Sequence, residues 1–512
     1  MMSDFPFLSV LTVAPLVGGL LVVFLPASRG ELAKRVAFGW SLAVLALAVG
    51  MWVAFDAGGD RLQLRESYPW IPAWGVNLTF AADGIALVML MLIALLVPVV
   101  ILASWHDADN LKRSVPVYFA LLLFLESTMI GVFAAADVFL FYVFFEVMLV
   151  PMYFLIGSYG GHQRQYAAVK FFLYSLVGGL FMLAAVIGLW ALGGRTFDWQ
   201  ALTQADLSTG AERWLFLGFF VAFAIKAPFF PFHTWLPDAG GAAPAGAAAL
   251  LVGVLDKVGT FGILRYCLPL FPEASKWFAP WAIALALVGI IYAALLAVGQ
   301  NDLKRLVSYT SIAHFGFIGV GIFAFTTQAG TGAVLYMVNH GLATGLLFLV
   351  VGMLVARRGS ALISDFGGAA KLVPVLAGVL FFAGLASLAL PGTAPFVSEF
   401  LVLIGTFTVN KPVAVVATAG IILAAAYVLW MVQRTTQGTL NPALTEVDGM
   451  RRDLSVREKV VVAPLIALLL VLGFYPKPVT DVINPAVQAT VEQDLGRQDP
   501  APTVGTVQEA HR

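Results

Sequence analysis

Glu146 stands in the run FYVFFEVMLVP, Lys226 heads KAPFFPFHTWLPD, Lys257 lies in VGVLDKVGTFG, and Glu399 closes LPGTAPFVSEF. Glu126, His233, Asp256, His314 and His340 sit in equally apolar surroundings. A charge in hydrocarbon costs about 2.5–3.5 kcal/mol on insertion scales. Burial disfavours the charged form of both amines and carboxyls, and an opposite charge nearby restores it. At about 6 Å and an effective dielectric of about 20, a Glu–Lys pair is worth about 2.8 kcal/mol, or about two powers of ten in proton affinity. A shift of one or two ångströms would change a lysine's hold on its proton severalfold. A buried lysine beside a mobile glutamate is therefore a switchable proton site. Histidines, the hydroxyls of Ser308, Tyr309 and Ser311, and waters could link such sites into a relay.

Bland readings compete. An isolated intramembrane histidine is more often an interhelical hydrogen-bond partner than a proton carrier, which bears on His314 and His340. Glu126 reads equally as a structural acceptor for a backbone donor. Asp256 and Lys257 are adjacent, point about 100° apart on a helix and should not share a face, so Asp256 is expected to pair with a neighbouring helix or a helix end. These readings strain for Glu146, Lys226, Lys257 and Glu399 taken together, because they fall on several helices and two adjoin broken segments.

The elements that must hold these residues follow from composition. Of 512 residues 60% are hydrophobic and 11% charged, against roughly 25% charged in soluble domains. Runs such as 84–104, 166–192, 277–298 and 331–356 have the length a helix needs to cross about 30 Å of hydrocarbon. The chain reads as an all-α polytopic membrane protein, which excludes a soluble enzyme, a secreted disulfide domain and a nucleic-acid binder. About fourteen spans are expected, near 7–25, 36–55, 84–104, 115–134, 138–157, 166–192, 214–232, 246–268, 277–298, 306–325, 331–354, 373–407, 413–433 and 460–475. Equal counts of 29 basic and 29 acidic residues say nothing about partners, and the one cysteine, Cys267, removes any disulfide framework, iron–sulfur cluster or cysteine zinc site. The start, MMSDFPF, carries an acid where a cleavable signal has bases. Assigned to loops, 16 Lys and Arg follow odd-numbered spans, among them Lys112, Arg357, Arg358, Arg451 and Arg452. Only Arg61, Arg65, Arg195, Arg213, Arg265, Lys276 and Lys411 follow even-numbered ones. This bias places both termini on the outer side of the cell (inner or plasma) membrane. The tail from Lys477 reads as polar and disordered.

Spans 7 and 12 are broken alike, by Pro228, Pro231 and Pro237 in one and by Pro391, Gly392 and Pro395 in the other. Proline removes a backbone donor and clashes one turn back, so both helices should unwind. The breaks lie five spans apart, so a repeat of spans 4–8 on spans 9–13 would be inverted, a transporter pattern. The expected organisation is 1–112 for spans 1–3, 113–268 for the first repeat, 277–434 for the second, 455–476 for span 14 and 477–512 for the tail.

At these residues the sequence resembles the antiporter-like subunits of respiratory complex I, which are related to Mrp-type Na⁺/H⁺ antiporter subunits. The resemblance covers all fourteen spans. It is most specific at FFEVMLVPMYFLIG (144–157), IKAPFFPFHTWLPDA (225–239), NDLKRLVSYTSIAHFG (301–316) and SLALPGTAPFVSEF (387–400). Glu399 matches the branch that carries Glu rather than Lys in the second broken helix. A long lateral helix beyond span 14, found in another branch, is not expected here. The resemblance implies a proton-translocating subunit of an NADH–quinone oxidoreductase. Glu146 would be the modulating carboxylate, Lys226 the proton-storing lysine, Lys257 the connecting lysine and Glu399 the terminal site. His314 and His340 would lie on a central axis, with Glu126 and His233 secondary. It implies no cofactor or redox centre in this chain. NADH, FMN, iron–sulfur clusters and quinone would belong to partner subunits, with antiporter-like subunits L and N flanking it among membrane lipids. An Mrp-type cation/proton antiporter or membrane-bound hydrogenase subunit is the alternative. A structural scaffold would have shed such costly buried charges. One departure is Gly240, where many relatives carry histidine; it weakens a proton route through LPDAGGAAPAG (236–246).

Overall fold

The computed structural model describes residues 5–109 and 113–500. Lys112, the first four residues of MMSDFPF and the tail beyond 500 lie outside the described residues.

Helices occupy every expected span. Among the described residues, ten helices are long and apolar enough to cross a membrane. They include span 3 (Gly84–Ala103), span 4 (Val115–Ala134), span 6 (Arg164–Leu192), span 9 (Pro272–Val298), span 10 (Leu303–Phe323), span 11 (Thr327–Arg358) and span 13 (Lys411–Thr436). Shorter helices supply span 1 (Phe7–Val23) and the two pieces of span 12, Pro374–Ser387 and Ala394–Val409. Span 14 is Val456–Phe474.

Position in the bundle follows side-chain type. Span 2 (Gly30–Ala54) is exposed over most of its surface, whereas span 8 (Ala245–Leu270) is buried all round. A helix surrounded by other helices needs small residues where backbones meet, and span 8 supplies Gly253, Gly259 and Gly262. Spans 3, 4, 10 and 11 are also mostly buried.

Proline and glycine interrupt three spans. Span 5 is interrupted at Met148, between Val138–Val147 and Leu149–Tyr159, because Pro151 offers no donor to the carbonyl of Val147 one turn back. Span 7 runs from Thr209 to Lys226, unwinds over the proline-rich stretch and resumes at Leu236–Ala242. Span 12 stops at Ser387 and resumes at Ala394, with Gly392 at φ +94° in the gap. That backbone region suits glycine, which has no Cβ to clash.

Two features differ from the sequence reading. Residues 63–82 form an antiparallel hairpin, β1 (Gln63–Ile71) and β2 (Val76–Ala82). Glu66 on β1 accepts the backbone N–H groups of Leu8 and Ser9 at 2.9 and 3.0 Å, tying the hairpin to the start of span 1. The tail is also not disordered from Lys477. It forms a helix, Lys477–Ala489, bent 68° from span 14 across the break between them. Val482, Ile483, Ala486 and Val487 are buried along one side, so the segment is amphipathic rather than merely polar. It packs on spans 3 and 11. Arg61 holds its extension through two bonds to Asp494, and Thr331 of span 11 bonds Asn484 at 2.6 Å. Arg265, counted above among loop bases, lies inside span 8 and pairs with Asp83 at 2.8 Å.

Asp137 caps the start of span 5, accepting from Phe139, Leu140 and Asn77 backbone N–H groups. Burial nevertheless pushes its carboxyl up to about 6 against those three donors.

Candidate functional site

Glu146 occupies the last turn before the interruption of span 5. Its carboxylate lies against span 6 at Gly179, where a Cβ would come within 1.6 Å of Oε1. Lys226 ends the first piece of span 7. Its ammonium lies over the rings of Phe145 and Phe171, 4.8 and 5.7 Å from their centroids. A cation over a ring face gains electrostatic attraction, more so when desolvated. Glu146 and Asp256 are the acids near enough for their charges to act on Lys226. The Trp235 indole donates to the Ile225 carbonyl at 2.8 Å, satisfying an acceptor beside the break. His233 lies within the break, stacked on Phe230 and edge-on to Tyr292.

Lys257 lies at the start of a short α-helical segment, Lys257–Gly262, between two wide π-helical turns, Leu251–Leu255 and Ile263–Cys267. Single π turns occur frequently at functional sites. The ammonium contacts His340 Nδ1 at 2.5 Å, donates to Asp256 Oδ1 at 3.0 Å and bonds the Val252 carbonyl. Asp256 thus pairs with Lys257 itself and not with a neighbouring helix or a helix end as expected, although adjacent positions point to different faces. Four flexible carbons let the ammonium curl back past its own Cα and meet the preceding carboxylate. His340 and His314 rings meet edge-on with centroids 5.2 Å apart, and His314 lies 5.8 Å from the Tyr336 ring.

Asn339 joins this group to the second break. Its side-chain amide donates to the Ala394 carbonyl at 2.9 Å and to Ser398 Oγ at 2.7 Å. Glu399 follows Ser398, and Tyr336 and Tyr427 lie close enough to feel its charge. The fold thus places half-buried Glu146 and the buried Lys226, Asp256, Lys257, His340 and His314 in a succession that approaches Glu399 through Tyr336. Glu126 is not part of it. It is fully buried in span 4, and neither carboxyl oxygen has a hydrogen-bond partner among the described residues.

Sequence reasoning passed over several participants. Tyr336 and Tyr427 gave no signal, because buried tyrosines are ordinary in a chain this aromatic. Asp238 stood in view in LPDA (236–239) and had no role assigned. It receives Lys170 Nζ at 2.7 Å and Arg305 Nη1 at 2.5 Å. Tyr174 and Thr234 bond at 2.7 Å nearby. Asp238, Lys304, Arg305 and Tyr166 line a cavity of about 390 Å³. Gly240 packs against span 10, where a Cβ would meet Ser308 Oγ at 2.5 Å.

A line of amines, acids and imidazoles through a bundle whose spans 7 and 12 are unwound defines a membrane protein built to move protons or small cations. The chain belongs to the NADH:quinone oxidoreductase/Mrp antiporter transmembrane family, whose model matches residues 135–424. Among its relatives, NADH-quinone oxidoreductase subunit M of Mycobacterium tuberculosis is 47% identical over 98% of this chain and 97% of that protein. NADH-ubiquinone oxidoreductase chain 4 of Arabidopsis thaliana is 37% identical over 95% of this chain and 97% of its own length. A chain of respiratory complex I from Thermus thermophilus, solved with bound NADH, superposes with a TM-score of 0.86 at 31% identity, covering 96% of this chain and all of that one. A chain of the Mrp complex from Dietzia shares the fold, with a TM-score of 0.85 at 22% identity.

Proposed function

We propose that this chain is a proton-translocating membrane subunit of NADH–quinone oxidoreductase. The observation that carries the reading is the succession from half-buried Glu146 through the buried Lys226, Lys257 and His340 toward Glu399. Relatives and the Thermus thermophilus structure at 31–47% identity support complex I. The Mrp likeness, at 22% identity, concerns the fold alone. Hydride and electron chemistry belong to partner subunits, and this chain holds no redox centre. Subunits L and N flank it, and both termini face outward. Spans 4–8 and 9–13 form two inverted repeats.

In this mechanism Lys226 stores a proton. The Glu146 carboxylate stabilises the ammonium, and a change in their separation raises or lowers its hold. Lys226 loses its proton toward Lys257, which passes one to His340. The histidines and Tyr336 lead toward Glu399, the site nearest release. Asp238, Lys170, Tyr174 and Thr234 form a polar approach to the break of span 7 from the side of the basic loops. Moving one charge against 100 mV costs about 2.3 kcal/mol. A swing of about two powers of ten in proton affinity, the size of the Glu–Lys interaction, matches that cost. His233, within the break of span 7, is a secondary carrier, and Glu126 stands apart from the line.

The test is proton pumping by the assembled complex in vesicles. Lys226→Ala and Glu146→Gln complexes should lose this chain's pumping while partial electron transfer persists. Normal pumping by assembled Lys226→Ala complexes refutes the assignment.

A further inference from the structure

Asp256 has no task in the mechanism above, yet it is buried as deeply as either lysine. Its position follows from two glycine contacts of span 8. A Cβ at Gly259 would lie 2.4 Å from the Phe223 carbonyl oxygen and 2.6 Å from Ala227 N. That side of span 8 therefore lies backbone against backbone on the end of span 7. Asp256 precedes Gly259 by three residues and shares its side. A Cβ at Gly341 would lie 2.7 Å from the Gly253 carbonyl oxygen, so the side bearing Gly253 and Lys257 lies on span 11. The two adjacent residues thus look toward different helices, Asp256 to the turn that ends in Lys226 and Lys257 to His340.

The polar atoms divide the same way. Oδ1 of Asp256 accepts from Lys257 Nζ at 3.0 Å, and Lys257 contacts His340 Nδ1 at 2.5 Å. Oδ2 of Asp256 and Nζ of Lys226 are both buried, and neither has a hydrogen-bond partner among the described residues. Lys226 feels the Asp256 charge. Buried polar atoms are nearly always paired, so two unpaired ones of complementary type in adjoining turns ask for an explanation. The surrounding titratable groups are Glu146 behind Lys226, Lys257 on the same helix, and His340 and His314 beyond it.

We propose that Asp256 is the proton carrier between Lys226 and Lys257, a role that rests on the proton-translocating reading. Lys257 first gives its proton to His340 Nδ1, leaving a neutral amine and an imidazolium. The Lys226 ammonium then gives its proton to Oδ2, leaving a neutral amine and a carboxylic acid. Rotation about the Cβ–Cγ bond of Asp256 turns the acid proton toward Lys257 Nζ. Transfer there restores the Asp256 carboxylate and the Lys257 ammonium. The net change is one proton moved from Lys226 to His340. Lys257 Nζ already bonds Asp256 Oδ1, whereas Lys226 Nζ has no hydrogen-bond partner among the described residues, so the carboxylate supplies the acceptor that links the two amines.

The variant Asp256→Asn keeps an amide oxygen for Lys257 to bond but cannot carry a proton. In reconstituted complexes its proton-to-electron ratio should fall to that of Lys226→Ala, and Asp256→Glu should restore it. A wild-type ratio in Asp256→Asn beside a lost one in Lys226→Ala overturns the carrier role alone. Normal pumping by Lys226→Ala instead removes the reading beneath it. Should Asp256→Asn fail to assemble, infrared difference spectra during turnover decide with isotope-labelled carboxyl groups. The Asp256→Glu complex should exchange one aspartic-acid carbonyl band for a glutamic-acid band, and an unchanged aspartate band overturns the proposal.

Discussion

Glu146 keeps its place because residue 179 has no side chain. With a Cβ only 1.6 Å from Oε1, Gly179→Ala must displace the carboxylate. At an effective dielectric of about 20, moving a Glu–Lys pair from about 6 to about 8 Å weakens it by about 0.7 kcal/mol, or about threefold in proton affinity. Gly179→Ala complexes should therefore pump less while keeping quinone reduction, and Gly188→Ala, on the same helix but away from Glu146, serves as the packing control. Equal pumping by wild type and Gly179→Ala would show that the Glu146 position does not set the affinity of Lys226. Glu146, Lys226, Lys257 and Glu399 were legible because an amine or acid inside an apolar run is costly and rarely incidental. Tyr336, Tyr427 and the Asp238 cluster were not, since hydroxyls and residues near loops carry no such anomaly.

Span 8 illustrates what an element adds to its residues. Apolar periodicity located it, but an apolar run does not distinguish α from π turns, which differ by one residue in the hydrogen-bond step. The flexible Lys257 stem let its ammonium reach back to Asp256 although the two residues face different helices. The same helix carries a second buried pair, Arg265 with Asp83, both almost fully buried. Asp83 also accepts from Ala86 N at 2.8 Å and so caps span 3. Removing one partner of a buried pair strands the other charge and costs about 3–5 kcal/mol. Arg265→Met should accordingly lower the thermal midpoint of the assembled complex, and adding Asp83→Asn should recover much of the loss. Additive losses in that double-mutant cycle would mean that the pair is not coupled.

The whole chain's orientation rests on its basic loops. Arg265, paired with Asp83 deep within span 8, does not bear on that bias. The single cysteine, Cys267, is fully buried and leaves a silent background for labelling. Thr445→Cys, between spans 13 and 14, should react with an impermeant maleimide only when the cytoplasmic face is open to the reagent. Gln204→Cys, between spans 6 and 7, should react only from the outer face. The reverse pattern would invert the molecule and exchange the input and release ends of the proton line.

By itself the sequence determined that the chain is a helical membrane protein, roughly where each span lies, and which charged residues had to be accounted for. Each of these is a local property: run length, the missing donor of proline, and the transfer cost of one side chain. The tertiary structure alone decided which of those residues meet. It joined Asp256, Lys257 and His340 across two helices, set Lys226 on the adjoining span and left Glu126 alone. It also turned the supposed loose tail into a helix packed on spans 3 and 11. Contacts between distant segments depend on which backbones can approach, and that was set by glycines such as Gly259, Gly341 and Gly179, whose missing side chains take meaning only from what lies against them.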